Sequence, residues 1–352
     1  MKNTSKIIYL ILLLFINLSC IKQQSNEKER NNSELLSFSK TDTLKFTSGI
    51  RAIFQDNKGN YWLGSHNEGV SFYDGKTFEN YTTNEGLSDN QIRSIEQDEN
   101  GKIWLGTAKG VSVYDEGKFI NYSINTHNSK KEWNKTNGDL WFNAGDQDGI
   151  NRFDGMNMNY LIFPKPKNQN PNSYGVTDIS KSKDGKVWVA TYAALFNYDG
   201  KDVSIFDNEK LNLKENDFLH IRSVLADSKG RIWIGNNGIG VLLMEGDSIF
   251  NFSEKQHLIH PTSTRNGNKS ALGTLEHVFA IEEDSDGNIW FGDRDTGAWK
   301  YDGKTMTNYT IDKNLNSQMI WTIYKDNANN LLFGMAEGGV YKFNGKSFDK
   351  IF

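Results

Sequence analysis

Seven times between residues 49 and 352 the chain writes nearly the same forty-odd residues, and a repeat of that period dictates an architecture before any single motif does. The clearest copies are IRAIFQDNKGNYWLGSHNEGVSFYDGKTFENY at 50–81, IRSIEQDENGKIWLGTAKGVSVYDEGKFINY at 92–122 and VFAIEEDSDGNIWFGDRDTGAWKYDGKTMTNY at 278–309. Aligned on their Trp-apolar-Gly step, the copies are anchored by Trp62, Trp104, Trp141, Trp188, Trp233, Trp290 and, in the last, Leu332. Each copy parses into four short apolar runs separated by turn chemistry. Asp-Gly or Asn-Gly pairs at 74–75, 154–155, 199–200, 302–303 and 344–345 suit the tight hairpin between the third and fourth runs. Sustained helical periodicity is lacking throughout the repeats. Four strands per unit in seven units predict an all-β, seven-bladed β-propeller, four antiparallel strands to a blade, over residues 35–352.

Antiparallel strands in sequence put alternate loops on opposite faces of the disc. The loops between strands one and two, and between three and four, share one face and are short and uniform. Those between two and three, with the connections to the next blade, share the other face, which carries nearly all the length variation, including 163–175 with its three prolines and 253–277. Variable loops on a rigid scaffold are where binding sits. Because each connection crosses from edge to axis, the first run is expected innermost and the fourth outermost. Blade three breaks the pattern: its expected inner strand, 129–135, reads Ser-Lys-Lys-Glu-Trp-Asn-Lys, either a polar strand lining the channel or a displaced one. Two segments compete to close the ring, 44–47 and 347–352.

The N-terminus is of another kind. Lys2 and Lys6 precede an apolar run at 7–16 that is too short to span a bilayer and suits a secretory signal. It ends at Leu18-Ser19-Cys20, the only cysteine of the chain, in an arrangement that resembles a bacterial lipoprotein signal. The expected organisation is a signal at 1–19, lipidation at Cys20, a polar tether at 20–34 and the propeller beyond, lipid-anchored in the cell envelope and touching membrane only through that anchor. The formal charge of −4 argues against a nucleic-acid partner.

The repeats resemble the two-component regulator propeller repeat, through Asp98-x-x-Gly101-x-Ile103-Trp104-Leu105-Gly106-Thr107, Gly110-Val111-x-x-Tyr114-Asp115 and the linking Asn84-Glu85-Gly86-Leu87-Ser88-Asp89-Asn90. The resemblance covers the chain from about residue 49 onward. It implies an extracellular sensing module that binds a ligand, often in polysaccharide use, and brings no fixed set of binding residues. The kinase and other parts that follow such propellers in the family are not expected here, since Phe352 ends the last blade.

Two rings of candidate ligand-binding residues follow from the repeat. On the variable face, the loops between strands two and three bring His66, Glu68, Tyr192, Asp293 and Arg294 among other polar groups suited to a sugar or peptide. The residue after the first apolar position of each inner strand gives a second ring: Arg51, Arg93, Lys130, Thr177, Arg222, Phe279 and Trp321. Pointing into the channel mouth, these make an anion or acidic-sugar site; facing between blades, they are packing and stem-burying Arg. His257, His260 and His277 with Glu276 raise a metal reading, which Pro261 and the loop composition around it oppose, so no metal and no cofactor is expected. Asp284-x-Asp286-Gly287 recurs as an ordinary turn. The function expected is a ligand-binding or sensing propeller for a small ligand or an envelope protein. The alternatives are a metal-dependent enzyme of the streptogramin-lyase kind, which shares the seven-bladed fold, and a protein-binding scaffold.

Overall fold

The same acid ends the inner strand of most blades, and its hydrogen bonds show why the repeat has the sequence it has. In the computed structural model, which describes residues 40–123, 129–130, 133, 138–145, 148–164, 174–215, 217–263 and 268–352, Asp56, Asp98, Asp227 and Asp284 each use Oδ1 to accept the backbone N–H groups two and four residues on. Their Oδ2 atoms accept Nε1–H of the anchor tryptophan six residues on, at 3.3, 2.9, 2.9 and 2.8 Å. One carboxylate thus fixes the turn and clamps the second strand beneath it. In blade seven Leu332 replaces the tryptophan, and Asp326 instead accepts the Tyr61 hydroxyl of blade one at 2.8 Å. Ser182 stands in this position in blade four, and Trp188 Nε1 is buried there without a partner.

The glycine of the Trp-apolar-Gly step has an equally local cause. A Cβ on Gly64 would sit 2.6 Å from Ile92 of the next inner strand, and one on Gly292 2.7 Å from Ile320. Adjacent blades close on each other there, so a side chain does not fit. Rows of buried aromatics fill the rest of each interface, as where Trp290 meets Tyr309, Phe333 and Phe343.

The result is the expected seven-bladed propeller: seven four-stranded sheets, six in simple sequence order, and, among the described residues, little helix beyond the single turn Phe252–Lys255. The C-terminal segment supplies the fourth strand of blade seven, Phe348–Lys350, while the N-terminal segment bridges through Thr41 to Phe78 in the outer strand of blade one. Phe46 and Phe352 then join a core shared by blades seven and one. Cys20, the signal and the tether lie outside the described residues. Among the described residues no helix is long and apolar enough to cross a membrane.

Blade three takes the second of its two alternatives, the displaced strand. Ser129–Lys130 is not innermost; it pairs in parallel with Tyr160 and Leu161 at the outer edge, giving the order Leu140–Phe142, Gly149–Phe153, Met158–Ile162, Ser129–Lys130. The physical reason is composition: Ser-Lys-Lys-Glu offers nothing to pack where the other inner strands bury Ile or Val. Lys130 therefore leaves the expected channel ring. Lys181 Nζ of blade four comes within 3.6 Å of Glu96 Oε2 of blade two, and Arg93 Nη1 donates to Gly145 O of blade three at 2.7 Å.

Candidate functional site

Each of the six inner strands that keep the repeat carries a β-bulge at the same place. The register against the second strand slips between Ile50 and Ala52, Ile92 and Ser94, Val176 and Asp178, Ile221 and Ser223, Val278 and Ala280, and Ile320 and Thr322. The extra residue is Arg51, Arg93, Thr177, Arg222, Phe279 or Trp321. A bulge frees its residue from the ladder and re-aims the side chain, and all six line one cavity on the propeller axis, of about 660 Å³. The sequence left two directions open for this ring; the bulges turn it to the channel.

His66 and Tyr192 from the loops between strands two and three, and Gln91 from a connection between blades, join the same lining at the variable face. Arg222 lies between two aromatic faces, its guanidinium carbon 4.3 Å from the Phe279 ring centre and 5.5 Å from that of Tyr192. Arg51 sits 5.4 Å over Trp321, whose other neighbour is the His66 ring at 4.8 Å. Arg93 is steered by Gln91 Oε1 at 2.9 Å. Burial lowers the pKa of His66, and the Arg51 and Arg93 charges lower it further. Burial likewise lowers that of Arg222.

Deeper in the cavity the sign reverses. Asp178 and Glu282 belong to the lining, and burial raises both, Asp178 to about 7. Asp178 accepts the Ile179 and Val224 N–H groups, and Glu282 the Glu283 N–H. Asn143 from blade three reaches the cavity as well, donating through Nδ2 to Thr177 O at 2.8 Å. Four buried polar atoms of the lining residues have no hydrogen-bond partner: His66 Nδ1, Trp321 Nε1, Thr177 Oγ1 and Asn143 Oδ1. They give the lining polar atoms that a ligand or water can meet.

Three of the expected site residues are elsewhere. Glu68 accepts the N–H groups of Thr47 and Ser48 at 2.9 and 2.7 Å, anchoring the segment that leads into blade one. Asp293 accepts from His277, Asp295 and Thr296, and Arg294 pairs with Asp295 at 2.8 Å. Nearby, His277 has both ring nitrogens engaged, with Asn237 Oδ1 and Asn268 O, and Glu276 holds the His260 backbone and the Ser263 hydroxyl. Among the described residues no three His, Cys, Asp or Glu are grouped to hold a metal ion. Sequence reasoning passed over Asn143, Asp178 and Glu282. Asn143 stands where the other copies have Gly or, in blade four, Ala190, and that exception was visible; the two acids show only when inner strands are aligned at their third and fifth residues.

Four segments of the chain, residues 45–67, 86–109, 217–238 and 273–295, match the sequence model of the two-component regulator propeller family. Among solved structures the chain is similar to the extracellular domain of BT4673 of B. thetaiotaomicron, described as a hybrid two-component system, at 20% identity and a TM-score of 0.63. The match covers 86% of this chain and 39% of that one. The corresponding domain of BT3049 matches at 21% identity and TM-score 0.63, over 87% and 40%. Virginiamycin B lyase of Staphylococcus aureus matches at 15% identity and TM-score 0.62, over 87% and 98%. The chain thus spans about two fifths of the length of the two extracellular domains, and at these identities the likeness is one of fold. A search of curated proteins gave no match.

Proposed function

We propose that this chain, a carrier of two-component regulator propeller repeats, is an extracellular binding or sensing module of the cell envelope that captures a small anionic ligand, such as an acidic saccharide, in the mouth of its channel. The observation that carries the reading is Arg222. It lines the cavity among aromatic rings, and among the described residues no carboxylate pairs with it; its one hydrogen-bond partner is the Tyr192 hydroxyl at 3.4 Å. A buried charge without a counter-charge is costly, and a ligand carboxylate or sulfate supplies what is lacking. Attachment through Cys20 belongs to the same proposal and places the propeller outside the membrane on a polar tether.

Thermal unfolding of the full chain with glucuronate and with glucose tests the anion requirement, because a ligand of the native state raises the midpoint. Glucuronate is expected to raise it and glucose not. Arg222→Gln lowers glucuronate affinity at least about tenfold, the scale of a charge-assisted hydrogen bond. Equal shifts with both sugars, or indifference to Arg222→Gln, overturn the reading.

A further inference from the structure

The channel mouth is cationic, yet one to three residues further along the same inner strands the lining is acidic. Asp178 follows the bulge residue of blade four directly, and Glu282 lies three residues beyond that of blade six. At about 3.3 Å per residue, the acidic level lies up to about 10 Å inside the arginine ring. A third carboxylate at this position of the strand, Glu96, is paired with Lys181 of blade four. Among the described residues no ion pair is made by Asp178 or Glu282; the Lys325 charge acts on Glu282 from a distance, its Nζ being bonded at 2.7 Å to the Glu283 carbonyl. Asn143, 5% exposed, adds an acceptor oxygen without a donor to the lining of this cavity, and Thr177 adds an unpartnered hydroxyl. Acceptors thus collect on the part of the lining built by blades three, four and six, while the arginine donors come from blades one, two and five.

We infer that the ligand carries a protonated amine as well as an anion and enters amine first, its ammonium group held by Asp178, Glu282 and Asn143 while its carboxylate stays with Arg222 at the mouth. This rests on the reading of the mouth as an anion site and names the class of ligand: one in which ammonium and carboxylate are separated by several bonds. A short peptide with a free N-terminus has this chemistry, and so has an amino sugar acid. The N–H donors of an ammonium match the acceptors of this lining, and its charge offsets the cost of keeping two carboxyls away from bulk water. Burial holds Asp178 near neutrality, so an arriving ammonium draws it into the ionised form and a proton leaves.

Titration calorimetry on the full chain separates the two charges. The probes are trialanine, N-acetyl-trialanine, trialanine amide and muramic acid, the last presenting amine and carboxylate on a sugar. Trialanine is expected to bind at least tenfold more tightly than its acetylated form and to release protons at pH 7, and Glu282→Gln is expected to shrink that preference below threefold. Asp178→Asn is the second variant and abolishes the proton release. A stronger signal from muramic acid than from trialanine places the same chemistry on a sugar acid. Equal affinity of trialanine and its acetylated form overturns the inference and leaves the anion site standing. Amide binding as tight as that of the free peptide overturns the anion site, and binding by none of the carboxylate probes overturns both.

Discussion

The two ends of the inner strands obey opposite rules. At the end where they turn into the second strand, blades one, two, five and six repeat one arrangement, an aspartate that holds its own turn and the anchor tryptophan. At the mouth end, the bulge residue is Arg in three blades and Thr, Phe and Trp in the others. The difference is physical. The tryptophan is packed between blades, so its position tolerates little, whereas the bulge residue has left the ladder and faces the cavity, so its position is free to differ from blade to blade. Repetition marks what the fold requires, and its interruption marks where ligand chemistry can be placed.

The sharpest way to break that contrast is to damage the repeated end. Trp290 is fully buried against three aromatic rings and donates to Asp284 at 2.8 Å. Trp290→Ala is expected to cost about 4 kcal/mol in urea unfolding, the scale of a large buried aromatic. The cost falls on a core that holds the whole ring, so the urea midpoint moves for every spectroscopic probe.

Next in size is a pH effect from the channel. Asp178 is raised from 3.8 to about 7 by burial, so between those values the native state holds a proton that the unfolded chain has released. Stability then falls as pH rises through that window and levels off above about 7. The loss attached to this group is roughly 2–4 kcal/mol, the upper figure holding for a dry channel. Asp178→Asn is expected to flatten this part of the stability curve between pH 4.5 and 7.5. An unchanged slope would show that the channel acid is solvated like a surface one.

The fold was legible because its causes are local. Turn acid and anchor tryptophan lie six residues apart, the hairpin glycine follows within the same repeat, and most of the seven copies keep the pattern. The bulge ring was half legible: its membership followed from position, its direction did not, because a one-residue slip against the second strand leaves no trace in a single strand's pattern. Glu68 was misplaced for a different reason. Its partners, Thr47 and Ser48, lie some twenty residues earlier, and their N–H groups carry no residue signature. Lys130 failed because the alignment assumed that every copy keeps its first strand inside. The composition of 129–132 already contradicted that assumption, since a strand rich in lysine suits an outer edge.

The smallest expected effect tests whether the repeated end is a requirement or a habit. Blade four lacks the turn acid: Ser182 donates its hydroxyl to Asp184, and Trp188, 7% exposed, keeps its Nε1 unpartnered. A buried donor without an acceptor costs about 1–3 kcal/mol, so blade four is the weak copy of the clamp. Ser182→Asp rebuilds the arrangement of the other blades, with one oxygen for the turn and one for the tryptophan. It places a new carboxylate beside Asp184, whose charge is partly met by Lys186 at 2.7 Å. The net gain is therefore expected near 1 kcal/mol in urea unfolding, with Ser182→Asn recovering part of it because its amide oxygen also accepts. A loss of stability in both variants would show that the turn of blade four has settled on its own solution around Asp184, and that the aspartate of the repeat serves its neighbouring tryptophan only where the rest of the turn is built for it.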